Sequence, residues 1–251
     1  MPAVGIIPAR YASTRFPGKP LVEIAGFPMI RHVYERACRA TKLDEILVAT
    51  DDQRIFHTVI DFGGDAIMTS PDHPTGTDRL AEVAERLSAA DIIVNIQGDE
   101  PLIAPDAINQ VITALQEDQY AVMSSVMAPL HDTELARDPN VVKVVCDHRG
   151  YALYFSRAPI PGMPAGEKPK KGCWKRHIGL YAYRRDFLLA FTRLRPSPLE
   201  QIERLEQLRA LENGYRIKMI ERDDLSYGVD TPEDLERVKS IIEQQLLKTL
   251  A

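Results

Sequence analysis

Residues 4–21 of the chain read VGIIPARYASTRFPGKPL and join a short apolar run to a basic loop. The apolar run, Val4 to Ala9, is typical of a buried strand. Further apolar runs alternate with amphipathic segments along the first half of the chain, and this alternation indicates a parallel sheet covered on both faces. We expect strands at 45–50, 66–69 and 91–96, and helices at 28–40, 52–62 and 77–87. Sheets of this kind bind ligands at the carboxyl ends of their strands, which is where the basic loop begins.

The second half of the sequence is more mixed, and residues 159–172 form a stretch rich in proline, glycine and lysine that is typical of a surface loop or lid. We expect strands at 141–146, 151–155, 178–183 and 216–220, and helices at 199–212 and 231–247. The fold class is therefore α/β, a mostly parallel, twisted, Rossmann-like sheet with helices on both faces and a smaller inserted mixed β subregion. Because no linker divides the chain cleanly, we expect one domain over residues 1–251 with the inserted subregion near 125–185.

Composition excludes several classes of protein. The chain has 251 residues and a formal net charge of -5, so no overall basic field attracts nucleic acid. Its three cysteines are widely spaced and form no CxxC pair, which argues against a disulfide framework or a zinc site. No apolar run reaches the ~20 residues that span a bilayer, and the N-terminus lacks the pattern of a signal peptide. We expect a cytoplasmic protein without a nucleic-acid or membrane partner.

The basic loop after the first strand is suited to a polyanionic ligand. Cationic groups can neutralise phosphates, hydroxyls can donate to phosphate oxygens, and Gly18 permits close approach of the backbone. The candidate phosphate-binding residues are Arg10, Ser13, Thr14, Arg15 and Lys19. Neither the GxxxxGK[ST] nor the GxGxxG motif occurs in this loop, which argues against P-loop hydrolysis and ordinary dinucleotide binding. A solvated basic loop without a ligand is the alternative.

Two aspartates are candidate Mg²⁺ ligands. Asp99 follows the apolar run 91–96, although the sequence around it, Gly-Asp-Glu-Pro, also has the chemistry of a simple turn. Asp230 precedes the last helix, where helix capping explains Thr231 and Asp234 but not Asp230. Mg²⁺ is usually held by one or two carboxylates together with substrate phosphates, so the pair predicts metal-assisted phosphoryl chemistry.

Seven motifs in order give the chain a resemblance to a known family. They are PARYASTRFPGKPL (8–21), HPTGTDRLAEV (73–83), NIQGDEPLI (95–103), YFSRAPIP (154–161), RHIGLYAYR (176–184), SPLEQIERLEQLR (197–209) and VDTPEDLERV (229–238). Together they resemble 3-deoxy-manno-octulosonate (Kdo) cytidylyltransferase, also called CMP-Kdo synthetase. The first and last motifs also occur in other sugar nucleotidyltransferases, whereas YFSRAPIP, RHIG and SPLEQIERLEQLR are more specific.

The resemblance implies a nucleotidyltransferase domain that transfers CMP from CTP to Kdo, with Mg²⁺, for lipopolysaccharide biosynthesis. It implies a homodimer, with sugar binding and dimerisation in the inserted subregion. The implied nucleotide-binding residues are Arg10, Ser13, Arg15, Lys19, Thr77, Arg79 and Gln97. The implied sugar-binding residues are Gln97, Arg157, His177 and Glu206, and Asp99 and Asp230 are the implied Mg²⁺ ligands. We expect Lys19, Arg15, Asp99 and Asp230 to act in catalysis.

Alternatives remain open on the sequence alone. Without the resemblance, Arg157 could be a surface charge, His177 a structural histidine and Glu206 one of several solvated charges on a helix. The substrate could be an amino-substituted Kdo or a nine-carbon sialic-type acid. A catalytically silent nucleotide-binding regulator of the same fold is the alternative from another class. No residue stands out as a general base.

Overall fold

The computed structural model describes residues 1–12, 16–164, 166, 172–223 and 228–250, with the backbone alone for 246–250. In chain order, the first half contains β1 (Ala3–Ala9), a 3-10 turn (Lys19–Leu21), β2 (Glu23–Ile24), β3 (Phe27–Pro28), α1 (Met29–Ala37), β4 (Glu45–Thr50), α2 (Gln53–Asp61), β5 (Ala66–Met68), α3 (Gly76–Arg86), β6 (Ile92–Asn95) and α4 (Pro105–Glu117). The second half contains β7 (Ala121–Leu130), α5 (Thr133–Arg137), β8 (Lys143–Cys146), β9 (Ala152–Ser156), β10 (Trp174–Arg184), α6 (Arg185–Phe191), α7 (Pro198–Glu203), α8 (Gln207–Glu212), β11 (Arg216–Glu221) and α9 (Pro232–Leu250).

The chain divides into two compact units. The first unit comprises Met1–Asn109 and Ser226–Ala251, and the second comprises Gln110–Leu225. The second unit is thus a continuous segment between two segments of the first. It includes the 125–185 region that the sequence marks as an insertion; the single-domain description with those boundaries stays a prediction.

The first unit contains four parallel strands in the order β6-β1-β4-β5. β1 is the centre of this arrangement, because Ala3 pairs with Ile92 on one side and Val4 with Glu45 on the other. Both faces of β1 and β6 are buried, as expected for parallel strands that are covered on each side. Helices α1, α2 and α3 pack against these strands. The predicted α/β class with a mostly parallel sheet is confirmed.

The last helix returns to the first unit and packs on an apolar cluster. The cluster consists of Ile24, Met29, Leu102, Val229, Leu235, Val238 and Ile242. The start of α9 has the capping box that the sequence predicts: Thr231 Oγ1 accepts from the Asp234 backbone N–H at 3.2 Å, and Asp234 Oδ2 accepts from the Thr231 N–H at 3.0 Å. Burial and capping together fix the position of Asp230, which immediately precedes the capped turn.

The second unit contains a mixed set of strands. β11 and β7 are parallel, while β7 with β10, β10 with β8, and β8 with β9 are antiparallel. The register of β10 against β7 shifts between Ile178 and Tyr181, an irregularity of the β-bulge type that begins just after His177.

The structure corrects one predicted helix. Residues 199–212 are predicted as continuous, but the segment contains two short helices, α7 and α8, separated at Arg204, whose φ of 52° is left-handed. The Arg157 guanidinium donates to the carbonyls of Glu203 at 2.8 Å and Arg204 at 3.4 Å, so a tertiary contact satisfies the backbone at the break. The structure also contains α4, α5, α6 and β7, which the sequence patterns did not predict. Among the residues that the structure describes, no helix combines the length and apolar composition needed to cross a bilayer.

Candidate functional site

A cavity of about 390 Å³ lies in the first unit, at the carboxyl ends of β1 and β6. It forms there because the two strands are parallel neighbours, so the segments that follow them leave the sheet at the same edge. Its walls combine backbone-rich segments with a few polar side chains. The lining residues are Pro8, Ala9, Arg10, Ala12, Lys19, Pro20, Pro74, Thr75, Gly76, Gln97, Gly98 and Asp99. The predicted residues Arg10, Lys19, Gln97 and Asp99 therefore share one cavity.

Two glycines shape this cavity. Gly18 has a φ of 71° and precedes the 3-10 turn that begins at Lys19, and its N–H donates to the Tyr11 carbonyl at 2.9 Å. A Cβ at Gly18 would lie 3.2 Å from the Tyr11 ring. At Gly98 a Cβ would lie 3.0 Å from the Pro8 carbonyl oxygen, so the loop after β6 approaches β1 so closely that a side chain there would require the backbone to shift. These two positions hold Lys19 and Asp99 where they meet.

Lys19 is the centre of the charged cluster. Its Nζ donates to Asp99 Oδ2 at 2.6 Å, to the Val229 carbonyl at 2.8 Å and to Asp230 Oδ1 at 3.3 Å. The Val229 N–H donates to the Asp99 carbonyl at 2.9 Å, and this backbone bond brings Asp230 beside Asp99 although the residues are far apart in sequence. The structure thus brings together the cation and the two carboxylates that the sequence singled out.

The same cluster has the donor set of a divalent-cation site. Two carboxylates already share one cation, the Lys19 ammonium, and the side chains of Asp99 and Asp230 remain 32% and 54% exposed. Oxygen ligands of this number suit Mg²⁺ when substrate phosphates and water complete the coordination. Within the described residues, no group of three or more His, Cys, Asp or Glu side chains could hold a metal without such help. The residues present fit an ion that arrives with a phosphate ligand.

Arg10 is held along another wall of the cavity. Its Nη2 donates to the His73 carbonyl at 2.9 Å, and the His73 ring contacts Glu82 Oε2 at 2.5 Å. Burial opposes ionisation of Glu82, but hydrogen bonds from His73 and the Ser70 N–H outweigh it, so the pKa of Glu82 is lowered. An ionised Glu82 therefore fixes the loop whose carbonyl holds Arg10.

Helix α3 begins at the cavity with a capping box. Thr75 Oγ1 accepts from the Asp78 N–H at 3.1 Å, and Asp78 Oδ2 accepts from the Thr75 N–H at 3.1 Å. Both Thr75 and Gly76 line the cavity, so the positive end of the helix dipole adds to the charge of Lys19 and Arg10. Arg10 and the start of α3 therefore place positive charge beside the acidic pair in this cavity.

Thr77 and Arg79 lie deeper than the cavity wall. Arg79 is fully buried, and it donates to Asp51 Oδ2 at 2.8 Å and to Thr69 Oγ1. These bonds tie α3 to the ends of β4 and β5, which is a supporting role. Thr77 is also buried. Neither residue lines the cavity, and direct contact with a nucleotide stays a prediction for both. Ser13, Thr14 and Arg15 lie outside the described residues.

In the second unit, hydrogen bonds from both the main chain and the side chain of Arg157 fix its position. Glu203 accepts from the Arg157 N–H at 2.8 Å and from the Ser156 hydroxyl at 2.6 Å. The Arg157 guanidinium donates to the Pro139 carbonyl at 2.8 Å in addition to its contacts at the α7–α8 break. Burial opposes ionisation of Glu203, but the hydrogen bonds that Glu203 accepts from the Arg157 N–H and the Ser156 hydroxyl outweigh burial, so the pKa of Glu203 is lowered. Arg157 is therefore not a free surface charge, although its role with a ligand stays a prediction.

Lys143 supports the same segment from within the core. Its side chain is fully buried, and Nζ donates to the carbonyls of Asp138 at 3.0 Å, Val141 at 2.5 Å and Arg157 at 2.5 Å. Desolvation lowers the pKa of Lys143. Lys143 and Glu203 were not among the predicted site residues, because a single lysine in a strand and one glutamate among several on a helix carry no distinguishing signal.

His177 and Glu206 both lie near Tyr181. The His177 ring lies 5.3 Å from the Tyr181 ring and 5.0 Å from the Phe155 ring, centroid to centroid. Burial raises the pKa of Tyr181, and the negative charge of Glu206 raises it further. Burial lowers the pKa of His177 to about 3, so the imidazole is neutral at physiological pH. The structure thus groups these two predicted sugar-binding residues around one tyrosine, while their contact with a sugar stays a prediction.

The chain is similar in sequence to known proteins over nearly its full length. The profile of the family described as Cytidylyltransferase matches residues 4–220. A 3-deoxy-manno-octulosonate cytidylyltransferase of Syntrophotalea carbinolica is 55% identical over 246 residues, which cover 96% of this chain and 98% of the relative. A relative of the same name from Geotalea uraniireducens is 55% identical over 247 residues, covering 95% and 98%. A solved structure of CMP:2-keto-3-deoxy-manno-octonic acid synthetase complexed with CTP has a TM-score of 0.92 and 44% identity, and the match covers 98% of this chain and 100% of that one.

Proposed function

This chain belongs to the 3-deoxy-manno-octulosonate cytidylyltransferase family, and we propose that it transfers the CMP group of CTP to 3-deoxy-D-manno-octulosonate with release of pyrophosphate. The observation that carries this proposal is the convergence of Lys19 with Asp99 at 2.6 Å and Asp230 at 3.3 Å beside the 390 Å³ cavity. A nucleoside triphosphate that arrives with a divalent cation matches this arrangement in charge and in ligand chemistry.

Asp99 and Asp230 are the residues that would hold Mg²⁺. In the absence of the ion the Lys19 ammonium contacts both carboxylates and offsets one of their two negative charges. Mg²⁺, when bound, would neutralise charge on the phosphate oxygens and polarise the α-phosphate. Lys19 would then be released from the carboxylates to pair with a phosphate oxygen, which is the ordinary role of a lysine in phosphate binding.

The other cavity residues would bind and orient CTP. Arg10 and Lys19 would neutralise phosphates, with Ser13 and Arg15 contributing from the same loop. Gln97 would bind near the junction of the two substrates. Thr77 and Arg79 would support the nucleotide site from beneath, since their buried contacts tie α3 to the sheet.

Arg157, His177 and Glu206 would bind the sugar acid. Arginine is suited to a carboxylate, and histidine and glutamate are suited to hydroxyls. The anomeric hydroxyl of Kdo would attack the α-phosphorus of CTP in line. The bond from this phosphorus to the bridging oxygen would break, pyrophosphate would leave, and the hydroxyl proton would pass to solvent. Positioning and electrostatic stabilisation would supply most of the acceleration, without a covalent enzyme intermediate.

The wider setting follows from the same proposal. CMP-Kdo would serve lipopolysaccharide biosynthesis, the enzyme would work in the cytoplasm with Mg²⁺, and two copies of the chain would form a homodimer. Light scattering coupled to size-exclusion chromatography measures the oligomeric state directly, because it gives the mass of the protein in solution. A monomer would have the mass of a single chain, 28.2 kDa.

Pyrophosphate release tests the proposed reaction. We expect turnover with CTP and Kdo in the presence of Mg²⁺, far slower turnover with ATP, GTP or UTP, and loss of turnover with a chelator. Turnover of a nine-carbon sialic-type acid or an amino-substituted Kdo in preference to Kdo would replace the proposed substrate. Binding of CTP without turnover of any sugar acid would favour a silent regulator and contradict an enzymatic role.

A further inference from the structure

The β-bulge in β10 turns two backbone carbonyls towards one serine of β7. The Oγ of Ser125 lies 2.9 Å from the Leu180 carbonyl oxygen and 3.2 Å from the Ile178 carbonyl oxygen. It also lies 2.9 Å from Nε2 of His177. Ser125 is fully buried, so water does not compete for these contacts. The single hydroxyl of Ser125 therefore lies within hydrogen-bonding distance of three groups.

The proton count of these groups decides the direction of the hydrogen bonds. A hydroxyl has one proton, and carbonyl oxygens can only accept. If Ser125 donated to His177, both carbonyls would face its lone pairs without a proton, which is unfavourable for buried groups. Donation from Ser125 to the Leu180 carbonyl leaves a lone pair of Oγ free to accept from Nε2–H of His177.

The other groups around His177 favour a neutral imidazole whose second nitrogen, Nδ1, can accept a hydrogen bond. The aromatic rings of Phe155 and Tyr181 flank the imidazole, and burial lowers its pKa to about 3. Across the described part of the chain, no group forms a hydrogen bond with Nδ1 of His177. The main chain of His177 is fixed by donation of its N–H to the Val142 carbonyl at 2.8 Å.

We infer that Ser125 is a positioning residue that holds the His177 proton on Nε2 and thereby presents Nδ1 as a hydrogen-bond acceptor for a hydroxyl of the sugar acid. The inference about the tautomer stands on the contacts of Ser125, whereas the identity of the hydroxyl donor rests on the proposed function. Ser125 makes His177 an acceptor and excludes it as a donor to the sugar. The sugar site therefore selects a ligand with a free hydroxyl at this point over one with an ether or a carbonyl oxygen there.

The tautomer is tested on the wild-type protein. Long-range ¹H–¹⁵N correlation spectra of ¹⁵N-histidine-labelled protein report which ring nitrogen carries the proton, and a His177→Gln sample assigns the signals. We expect Nε2–H with an unprotonated Nδ1 between pH 6 and 8. A proton on Nδ1, or a doubly protonated ring in this range, would overturn the inference. This measurement needs no sugar and no folded serine variant.

Ser125→Ala and Ser124→Ala form a matched pair for kinetics. Ser124 is the next residue of the same strand, is equally buried, and donates to the Val111 carbonyl at 2.7 Å without contacting His177. We expect Ser125→Ala to raise KM for Kdo roughly tenfold, the loss of about one hydrogen bond, with KM for CTP unchanged. Ser124→Ala should leave both constants unchanged. Equal KM values for Kdo in Ser125→Ala and the wild type would contradict the role of Ser125.

The two readouts separate this inference from the proposed function. The Nε2–H tautomer in a protein that does not turn over Kdo would refute the proposed substrate and support the assignment of Ser125. Normal turnover of Kdo with the proton on Nδ1 would support the proposed function and refute the assignment of Ser125.

Discussion

Asp99→Asn is the substitution that separates charge from shape in the Lys19 cluster. Asparagine keeps the size of the side chain and one acceptor oxygen, but it removes the charge that Lys19 Nζ contacts at 2.6 Å. A hydrogen bond to a charged group contributes about 1.5–3 kcal/mol, and Asp230 at 3.3 Å compensates for part of this loss. We therefore expect a decrease of about 1–2 kcal/mol in the free energy of unfolding. Since domains are stable by about 5–15 kcal/mol, the variant should remain folded.

The effect of Asp99→Asn on turnover should be much larger. Loss of one preorganised electrostatic contact typically lowers the rate ~10²–10³-fold, which is about 3–4 kcal/mol in the barrier. Pyrophosphate release at saturating CTP, Kdo and Mg²⁺ gives kcat, and urea unfolding gives the stability. Asp118→Asn is a control, because Asp118 accepts from Tyr151 Oη at 2.6 Å in the second unit, outside the cavity. A kcat of Asp99→Asn within threefold of the wild type would remove Asp99 from the mechanism.

Three further predictions concern the supports of the site. Gly98→Ala places a Cβ 3.0 Å from the Pro8 carbonyl oxygen, so we expect weaker CTP binding by calorimetry and a loss of about 1–3 kcal/mol in stability; wild-type affinity would contradict the close approach. Lys143→Met leaves three carbonyls without their donor, and relief of ammonium desolvation offsets part of the cost. A net loss of about 2–4 kcal/mol in urea unfolding and a higher KM for Kdo are expected, and unchanged stability would be inconsistent with this balance. Because the pKa of Glu203 is lowered in the folded state, its contribution to stability is full above its unfolded pKa of about 4.3 and decreases as the pH falls through the folded pKa. The stability difference between wild type and Glu203→Gln should therefore be constant from pH 5 to 7 and shrink below pH 4, and a difference independent of pH over the whole range would show that ionised Glu203 does not stabilise the fold.

The parallel sheet of the first unit could be predicted because its signal is local. The apolar runs that became β1 and β6 are buried in the structure, as is the second half of β4, and apolar periodicity together with Gly and Pro punctuation is enough to place such elements. The position of Asp99 after β6 follows from chain order alone. Chain order also placed Asp230 before the capped start of α9. Helix capping explains the residues that follow Asp230 but not Asp230 itself, and this marked it as a candidate ligand.

Long-range hydrogen bonds could not be predicted from local patterns. The break between α7 and α8 depends on the Arg157 guanidinium, which lies about 47 positions earlier in the chain, and the segment itself has the composition of a continuous helix. The roles of Lys143 and Ser125 depend on a bulge and on paired strands, neither of which changes the residue types at those positions. The hydrogen bond from the Val229 N–H to the Asp99 carbonyl is also long-range and could not be predicted. The side chains that it brings together, Asp99 and Asp230, could be identified from the sequence.

A crystal structure of the protein with Mg²⁺, CTP and a non-reactive analogue of Kdo would show whether Lys19, Asp99 and Asp230 form the triphosphate site. We expect one Mg²⁺ bound by Asp99 and Asp230 and by oxygens of the triphosphate, with Lys19 Nζ moved from its 2.6 Å contact with Asp99 to a phosphate oxygen. A triphosphate bound elsewhere on the chain, or an ion that neither aspartate contacts while Lys19 stays between them, would contradict it.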